Sequence, residues 1–299
     1  MPLLDLPFVD LSLHSDPGQC RVKRVGGVEL LPVPNELWPE LHDLYTALLG
    51  KGERQPSFRE QWNGMSLRVM RRVTPAGIVF IVRRSNRTIR TLEEMRMSPA
   101  IIARLVDPNL RGGAVLFCGP PASRKTTFAC ATLVARMERI GGFCNTAENP
   151  IEYDLQGPHG KGYCIQEEIA SDAEILRVLS DTLRSSADMF FIGEIREKAG
   201  AEAAVLASAS GMFVAATLHS ESTQQAIQKL GLLVGWPALA QTLKAVITLR
   251  LERMGEETFA RAEPLFINDD GIRSKIRDGN VAMLSSDIDK QRFQALNER

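Results

Sequence analysis

A glycine, a lysine and a threonine stand at the spacing of a phosphate-binding loop. Such a loop has the pattern G-x-x-x-x-G-K-[ST] between a strand and a helix. In the stretch GAVLFCGPPASRKTT (113–127), Gly119, Lys125 and Thr126 fit this pattern, whereas Arg124 replaces the second glycine. The lysine of such a loop reaches the β- and γ-phosphates of a nucleotide, and the threonine hydroxyl ligates Mg²⁺. We therefore interpret the stretch as an altered phosphate-binding loop. The predicted nucleotide-binding residues are Gly119, Ser123, Lys125, Thr126 and Thr127.

Two carboxylates follow apolar stretches further along the chain. Four apolar residues, 189–192, lead into Gly193 and Glu194. A buried strand that ends in an acid beside a phosphate-binding loop is the Walker B arrangement, so we predict that Glu194 holds Mg²⁺ directly or through water. Glu148 follows the predicted strand 143–147, where a carboxylate could orient or deprotonate an attacking water. The alternative for Glu148 is an ordinary glutamate in a surface loop.

The elements that carry these residues alternate between strand and helix. Because alternation of this kind favours a parallel sheet with helices on both faces, we predict an α/β fold with a ligand site at the carboxyl ends of the strands. The predicted strands are 114–118, 143–147, 189–192 and 213–217, and the predicted helices are 99–106, 126–140, 172–183, 198–209 and 222–232.

The N-terminal part predicts a separate small α+β domain. Leucines recur at three- and four-residue spacing in a predicted helix over 36–49. Two predicted strands, 65–73 and 78–84, flank a turn. With a linker near 90–97, we expect domains at 1–92 and 93–299. The C-terminal segment adds a possible strand over 262–267 and a polar last helix.

The second half of the N-terminal domain is basic. Three interpretations stay open: a solvated sheet face, arginines that face phosphate or an acidic partner subunit, and a nucleic-acid surface. No aromatic residues are regularly interleaved with the arginines, which disfavours the third. The arginines are Arg68, Arg71, Arg72, Arg83, Arg84, Arg87 and Arg90.

Composition indicates an ordinary globular protein. The 299 residues are 44% hydrophobic, and 36 basic residues balance 36 acidic ones, so net charge does not indicate a polyanionic partner. The five cysteines form no CxxC pair, which predicts neither a zinc site nor a disulfide framework and fits a reducing cytoplasm. We also expect no signal peptide, since the N-terminus lacks a basic leader and a long apolar run. We expect no transmembrane segment, since no uncharged apolar run reaches the roughly 18 residues that a membrane helix needs.

Four boxes of residues follow the loop. They are ENPIEY at 148–153, GEIRE at 193–197, GMFVAATLHS at 211–220, and Leu183 with Arg184 shortly before Asp188. These boxes resemble those of the type II and type IV secretion traffic ATPases, a family that includes the motors of type IV pili. The family's corresponding boxes are E-D-P-I-E-[YF], G-E-[IM]-R-D, a histidine box and L-R-x-x-P-D.

The resemblance implies a PAS-like N-terminal domain, a RecA-like ATPase domain and a hexameric ring with ATP between subunits. By position, Glu148 would be the general base, Glu194 the Walker B acid and His219 the sensor of the γ-phosphate. Arg184, or arginines of the basic hairpin from the same or a neighbouring subunit, would neutralise developing charge. The metal ligands would be Thr126 and Glu194, so ATP and Mg²⁺ are the expected cofactors.

The resemblance also implies partners. Such motors dock on a platform protein of the cytoplasmic membrane and push or pull pilin, so we expect a peripheral protein at the cytoplasmic face of the inner membrane, with no direct nucleic-acid partner. Pilus, type II secretion and conjugative machines all remain open. The four-cysteine zinc module of some assembly ATPases is absent from the sequence. Its absence favours a retraction, pilus or conjugation-type ATPase.

Several departures from the family gather at the predicted site. If residue 124 must be left-handed, its arginine costs about 1–2 kcal/mol. A working motor and a weakly active regulatory or structural subunit are therefore both open, with a RecA-like nucleic-acid-dependent ATPase as a third hypothesis. The departures are Ala122 and Arg124 for two loop glycines, Asn149 for aspartate, QEE at 166–168 for Q-R-E, Ser180 for arginine and Met212 for histidine.

Overall fold

The protein divides into two compact units. The computed structural model describes residues 2–24, 28–51, 57–84, 89–254 and 257–297. One unit comprises residues 1–88 together with 150–154, and the other comprises 89–149 and 155–299. The short segment 150–154 thus belongs with the first unit although the chain on both sides of it belongs to the second.

The first unit is an antiparallel sheet with one long helix. Helix α1 (Trp38–Leu49) carries Pro39 in its first turn, where a missing N–H is tolerated, and buries Leu41, Leu44 and Leu48. The predicted helix and hairpin are confirmed, and the sheet has six strands in the order β3-β2-β1-β6-β5-β4. The strands are β1 (Asp10–Leu13), β2 (Arg21–Lys23), β3 (Leu30–Pro32), β4 (Ser57–Trp62), β5 (Met65–Thr74) and β6 (Gly77–Arg84).

Arginines on this sheet form ion pairs within the unit. The register of the sheet sets Arg68 directly between Arg59 and Arg83. Arg83 donates to the Asp10 carboxylate at 2.7 and 2.9 Å, and this hydrogen bond raises the pKa of its guanidinium. Arg59 lies 3.2 Å from a carboxylate oxygen of Asp154, in the segment 150–154. Some of the arginines on this sheet are therefore neutralised by acids of the same unit. Arg87, which belongs to the same basic stretch of the sequence, lies outside the described residues.

The second unit is built on an eight-stranded, mostly parallel sheet. The strand order is β14-β13-β7-β12-β11-β8-β10-β9, and only the pairs β13–β14 and β9–β10 are antiparallel. The predicted α/β class is confirmed. The strands are β7 (Gly113–Gly119), β8 (Gly142–Glu148), β9 (Gly157–His159), β10 (Gly162–Glu168), β11 (Met189–Ile192), β12 (Phe213–His219), β13 (Leu243–Met254) and β14 (Glu257–Phe266).

Helices cover both faces of this sheet. Ala114, Leu116 and Cys118 of β7 pack in one core with residues of α4, α5 and α6. Val115 and Phe117 alternate with them and are fully buried on the other face. The helices are α2 (Pro99–Leu105), α3 (Lys125–Arg139), α4 (Ile175–Leu183), α5 (Lys198–Ala209), α6 (Thr223–Val234), α7 (Trp236–Thr242), α8 (Asp270–Arg277) and α9 (Ser285–Asn297).

All five cysteines are buried, and none forms a disulfide bond. Burial raises the pKa of the Cys118 thiol, directly before the phosphate-binding loop, to about 12, so this sulfur is a packing group. Among the described residues, we find no helix with both the length and the apolar character needed to span a bilayer.

Candidate active site

The predicted site residues converge at one edge of the second unit's sheet. Strands β7, β8, β11 and β12 are parallel, so their carboxyl ends share that edge. His219, the last residue of β12, is in register with Gly119, the last residue of β7. Glu148 ends β8, and Glu194 follows β11 by two residues. The parallel sheet thereby brings together the loop, both acids and the histidine.

Only glycine fits at the first position of the loop. Gly119 has φ 151°, in the range that side-chain-bearing residues rarely adopt. A Cβ atom there would lie 2.4 Å from Ser123 Oγ and 2.5 Å from the Leu249 carbonyl oxygen. The loop consequently folds over this residue, and a side chain would force it open.

The backbone of the loop is left-handed at the two positions where the family that the sequence resembles carries glycine. Ala122 has φ 62°, and Arg124 has φ 68° and ψ 26°. A left-handed backbone costs an L-residue with a side chain about 1–2 kcal/mol. Two residues with side chains thus adopt backbone angles that favour glycine. Backbone strain is therefore concentrated within the predicted site.

Helix α3 presents its N-terminus at this loop. Its N-cap is Arg124, which makes no side-chain capping bond within the part of the chain that the structure describes. The first N–H groups of a helix have no acceptor inside the helix and carry its positive dipole end. Ser123 Oγ is also buried without a hydrogen-bond partner among the described residues. These donors around a cradle that a Cβ at Gly119 would fill fit a phosphate group.

A chain of polar contacts joins three distant motifs. Lys125 Nζ donates to the Pro120 carbonyl at 2.8 Å and lies 3.3 Å from His219 Nδ1. His219 Nε2 lies 2.9 Å from Glu194 Oε1. Because an ammonium group can only donate, Nδ1 is the acceptor, and the proton on Nε2 points to Glu194. The histidine is thereby held as one defined tautomer between Lys125 and Glu194.

Arg196 holds the other oxygen of Glu194. Its Nε donates to Glu194 Oε2 at 2.7 Å, and an Nη donates to the Asn149 carbonyl at 3.0 Å. It also lies 3.6 Å from Asp172, whose carboxyl pKa is raised mainly by burial, with Arg196 opposing that effect. Arg196 was not predicted as a site residue, although its place in GEIRE was a usable signal.

Glu148 is buried beside the Walker B turn. It is 1% exposed, and a Cβ atom at Gly193 would lie 3.2 Å from its Cγ. Gln166 of β10 donates from Nε2 to Glu148 Oε1 at 2.8 Å. Glu148 is therefore not a glutamate in a surface loop, and Gln166 is a second site residue that the sequence did not single out for this role.

Arg184 is not brought to this cluster within the chain. It follows the last residue of α4 and precedes β11, which places it at the amino edge of the sheet, and its side chain is 80% exposed. Asp188, from the same box, accepts a hydrogen bond from the Phe143 N–H at 2.9 Å at the start of β8. Thr126 and Thr127 lie half-buried in the first turn of α3, beside the loop.

The site's motifs match a known family. A protein-family model described as "Type II/IV secretion system protein" matches residues 69–280. The chain belongs to this family. The resemblance seen in the sequence is thereby confirmed.

Two curated relatives each match more than half of this chain. Type II secretion system protein HxcR of Pseudomonas aeruginosa is 37% identical over 165 residues, 54% of this chain and 34% of that protein. Type IV pilus ATPase PilU of the same organism is 30% identical over 181 residues, 57% of this chain and 46% of that protein. The chain thus spans less than half the length of these family members.

Solved structures share the fold. The pilus retraction motor PilT with bound ADP has a TM-score of 0.79 and 21% identity, over 95% of this chain and 86% of that chain. The Legionella pneumophila ATPase DotB has a TM-score of 0.69 and 19% identity, over 96% and 84% of the two chains. The RecA-like second unit, preceded by a small sheet-based unit, is thereby confirmed as the fold of this family member.

Proposed function

We propose that this chain is an ATP-binding and ATP-hydrolysing motor subunit of a type IV pilus or a type II or type IV secretion machine. The observation that carries the proposal is the contact chain from Lys125 through His219 to Glu194, which links the loop, the histidine box and the Walker B acid. Family membership and the names of relatives such as PilU and PilT support the same machine class.

Each site residue has a role that its surroundings support. Lys125 and the N-terminus of α3 would hold the phosphates, with Ser123 and Thr127 beside them. Glu148, buried next to Gly193, would accept the proton of the attacking water. His219 would report phosphate binding, because phosphate oxygens compete with its Nδ1 for the lysine ammonium.

Thr126 and Glu194 are the proposed Mg²⁺ ligands. A hydroxyl and a carboxylate suit this hard cation, which usually completes its shell with water and substrate phosphates. When bound, Mg²⁺ neutralises charge on the phosphates. Glu194 already contacts His219 and Arg196, so its approach to the cation would be through water or by exchange of one of these partners.

Phosphate release by the purified protein tests the proposal. With ATP and Mg²⁺, we expect turnover. Glu148→Gln should reduce it at least about 100-fold, the usual scale for a general base, and Lys125→Ala should reduce it by at least about as much, because the phosphates lose a charged donor. Lys198→Ala is the matched control, because Lys198 is 68% exposed on α5 and pairs only with Glu202 among the described residues. Equal phosphate release from the wild type and Lys125→Ala would remove the motor hypothesis.

A second candidate function is a nucleotide-binding subunit with weak or no turnover. The left-handed backbone at Ala122 and Arg124 supports it, because strain at both positions opposes formation of the loop. This candidate predicts saturable ATP binding, measured by titration, without phosphate release above that of Glu148→Gln. The motor proposal predicts both binding and release.

The assembly and its location are also proposals. A homo-hexamer that docks on a platform protein of the cytoplasmic membrane follows from the family, and it makes the chain a peripheral protein at the cytoplasmic face. The ion pairs of Arg83 and Arg59 with acids of their own unit disfavour the hypothesis of a nucleic-acid-dependent ATPase. A measurement of DNA binding at increasing salt concentration tests that hypothesis, because contacts with DNA phosphates weaken steeply with salt.

A further inference from the structure

We infer that Gln166 is the positioning residue of Glu148, and that its side-chain amide holds this carboxylate in the orientation needed to act on water. The inference rests on the proposed function, since it assigns a partner to the proposed general base. Three hydrogen bonds meet at Gln166, a residue of β10.

The orientation of the Gln166 amide is fixed by a backbone group. The Leu155 N–H donates to Gln166 Oε1 at 2.7 Å, and Leu155 is fully buried. A backbone N–H can only donate, so the oxygen of the amide must face Leu155. The NH₂ group then faces Glu148, where Nε2 lies 2.8 Å from Oε1. Gln166 is therefore a donor to the carboxylate.

A donor at this place affects the chemistry of Glu148. A buried carboxyl group loses hydration, and a hydrogen bond to its ionised form favours that form over the protonated one. A general base must be ionised and aimed at the proton that it accepts. Gln166 can supply both conditions, because its backbone pairs with β8 in the sheet and its side chain is held at the other end by Leu155.

The same amide connects Glu148 to Leu155, which lies on the other side of the segment 150–154 in the sequence. Glu148 lies two residues before 150–154, and Leu155 follows it directly. On the other side of the segment, Arg196 binds both the Asn149 carbonyl and Glu194. The residues that flank the segment, Asn149 and Leu155, are thus each held by a side chain that also holds one of the two predicted acids.

Two substitutions at one position separate the two contacts of the amide. Gln166→Glu keeps an oxygen for the Leu155 N–H but loses the donor to Glu148. Gln166→Leu loses both. Gln156→Ala is the matched control, because the exposed Gln156 accepts a hydrogen bond from the Gln166 backbone N–H at 2.8 Å and leaves the side-chain amide of Gln166 unchanged.

We expect kcat for ATP to fall about 10- to 100-fold in both Gln166 variants, with the affinity for a non-hydrolysable ATP analogue changed less than about threefold. Gln156→Ala should match the wild type in both measurements. A wild-type kcat in Gln166→Glu would overturn the inference, because the donor would then be dispensable. Equal losses of affinity and kcat would also overturn it and indicate a structural role.

Crystal structures of the variants give a readout that does not need turnover. The Glu148 carboxylate should leave its position in Gln166→Glu and in Gln166→Leu, and keep it in Gln156→Ala. An unmoved carboxylate in Gln166→Glu contradicts the inference even in a protein that hydrolyses no ATP. Failure of the proposed function appears separately, as equal phosphate release by the wild type and Lys125→Ala.

Discussion

At the scale of single residues, backbone conformation and side-chain identity disagree in the phosphate-binding loop. Ala122 and Arg124 adopt the left-handed region that glycine occupies without penalty. Meanwhile Gly119, Lys125 and Thr126 keep the types that the loop chemistry needs. The loop path is therefore imposed by the strand before it and the helix after it rather than by local preference at these two positions.

Replacement of Arg124 by glycine tests this strain. We expect Arg124→Gly to bind ATP more tightly and to raise the free energy of unfolding by about 0.5–1 kcal/mol, since relief of the left-handed penalty exceeds the entropy cost of glycine. Titration with an ATP analogue and denaturant unfolding measure the two effects.

The control for Arg124→Gly is Ser186→Gly. Ser186 is also left-handed, with φ 52°, but lies at the amino edge of the sheet, between α4 and β11. It should gain stability without a change in ATP affinity. If Arg124→Gly binds ATP no more tightly than Ser186→Gly, the arginine does not hinder the loop.

At the scale of elements, helix α3 is fixed to the sheet by a buried arginine. Arg136 is 3% exposed and donates to the carbonyls of Leu105 and Leu110 at 2.6 and 2.9 Å. Its guanidinium lies 3.9 Å from the centre of the Phe213 ring. Burial lowers its pKa to about 10, which still leaves it charged at neutral pH. The helix that begins at the phosphate-binding loop is thereby attached at its far end.

Substitution of Arg136 should therefore destabilise the second unit. We expect Arg136→Ala to lower the free energy of unfolding by about 3 kcal/mol, because buried carbonyls lose their donors. Arg136→Lys should also be destabilising, since one ammonium cannot reproduce the planar fork or its stacking. Denaturant unfolding measures both.

Arg139 provides the matched control on the same helix. It is half-exposed and pairs with the exposed Glu93 at 3.0 Å, so Arg139→Ala should cost at most about 1 kcal/mol. Similar losses for Arg136→Ala and Arg139→Ala would show that the buried contacts do not anchor α3.

At the scale of the whole molecule, the position of Arg184 bears on assembly. Within one chain it lies at the sheet edge opposite the loop, with its side chain 80% exposed. A role in charge neutralisation at the site therefore requires a neighbouring subunit. That requirement makes the proposed ring testable through mixtures of inactive variants.

We expect Arg184→Ala and Lys125→Ala to be inactive alone and to recover part of the ATP turnover when mixed, because some interfaces then contain both wild-type residues. Sedimentation with and without ATP should show a hexamer at least in the presence of nucleotide. The control mixture contains Lys125→Ala and Glu148→Gln. Both of these lesions lie in the same subunit's cluster, so this mixture should recover nothing. A monomer under all conditions would contradict the ring.

The sequence by itself determined the class of fold and where the candidate site lies. Strand and helix periodicities are local, so each strand and helix that was predicted between β7 and α6 agrees with the structure to within a few residues. The candidate site residues at or just after the ends of β7, β8, β11 and β12 could be predicted to lie together, because parallel strands bring their carboxyl ends to one edge of the sheet. In the second unit, strands β9, β10 and β13 were not predicted: β9 has three residues, β10 ends in polar residues, and β13 follows α7 without a turn signal.

Only the tertiary structure decided which of these groups touch. The contact of Lys125 with His219 joins residues 94 positions apart, and that of Gln166 with Glu148 depends on the register of β8 and β10. The left-handed backbone at Arg124 contradicts the local preference of arginine, and the distant placement of Arg184 follows from the direction of α4. Such contacts are set by strand order, register and packing, which local sequence patterns do not encode.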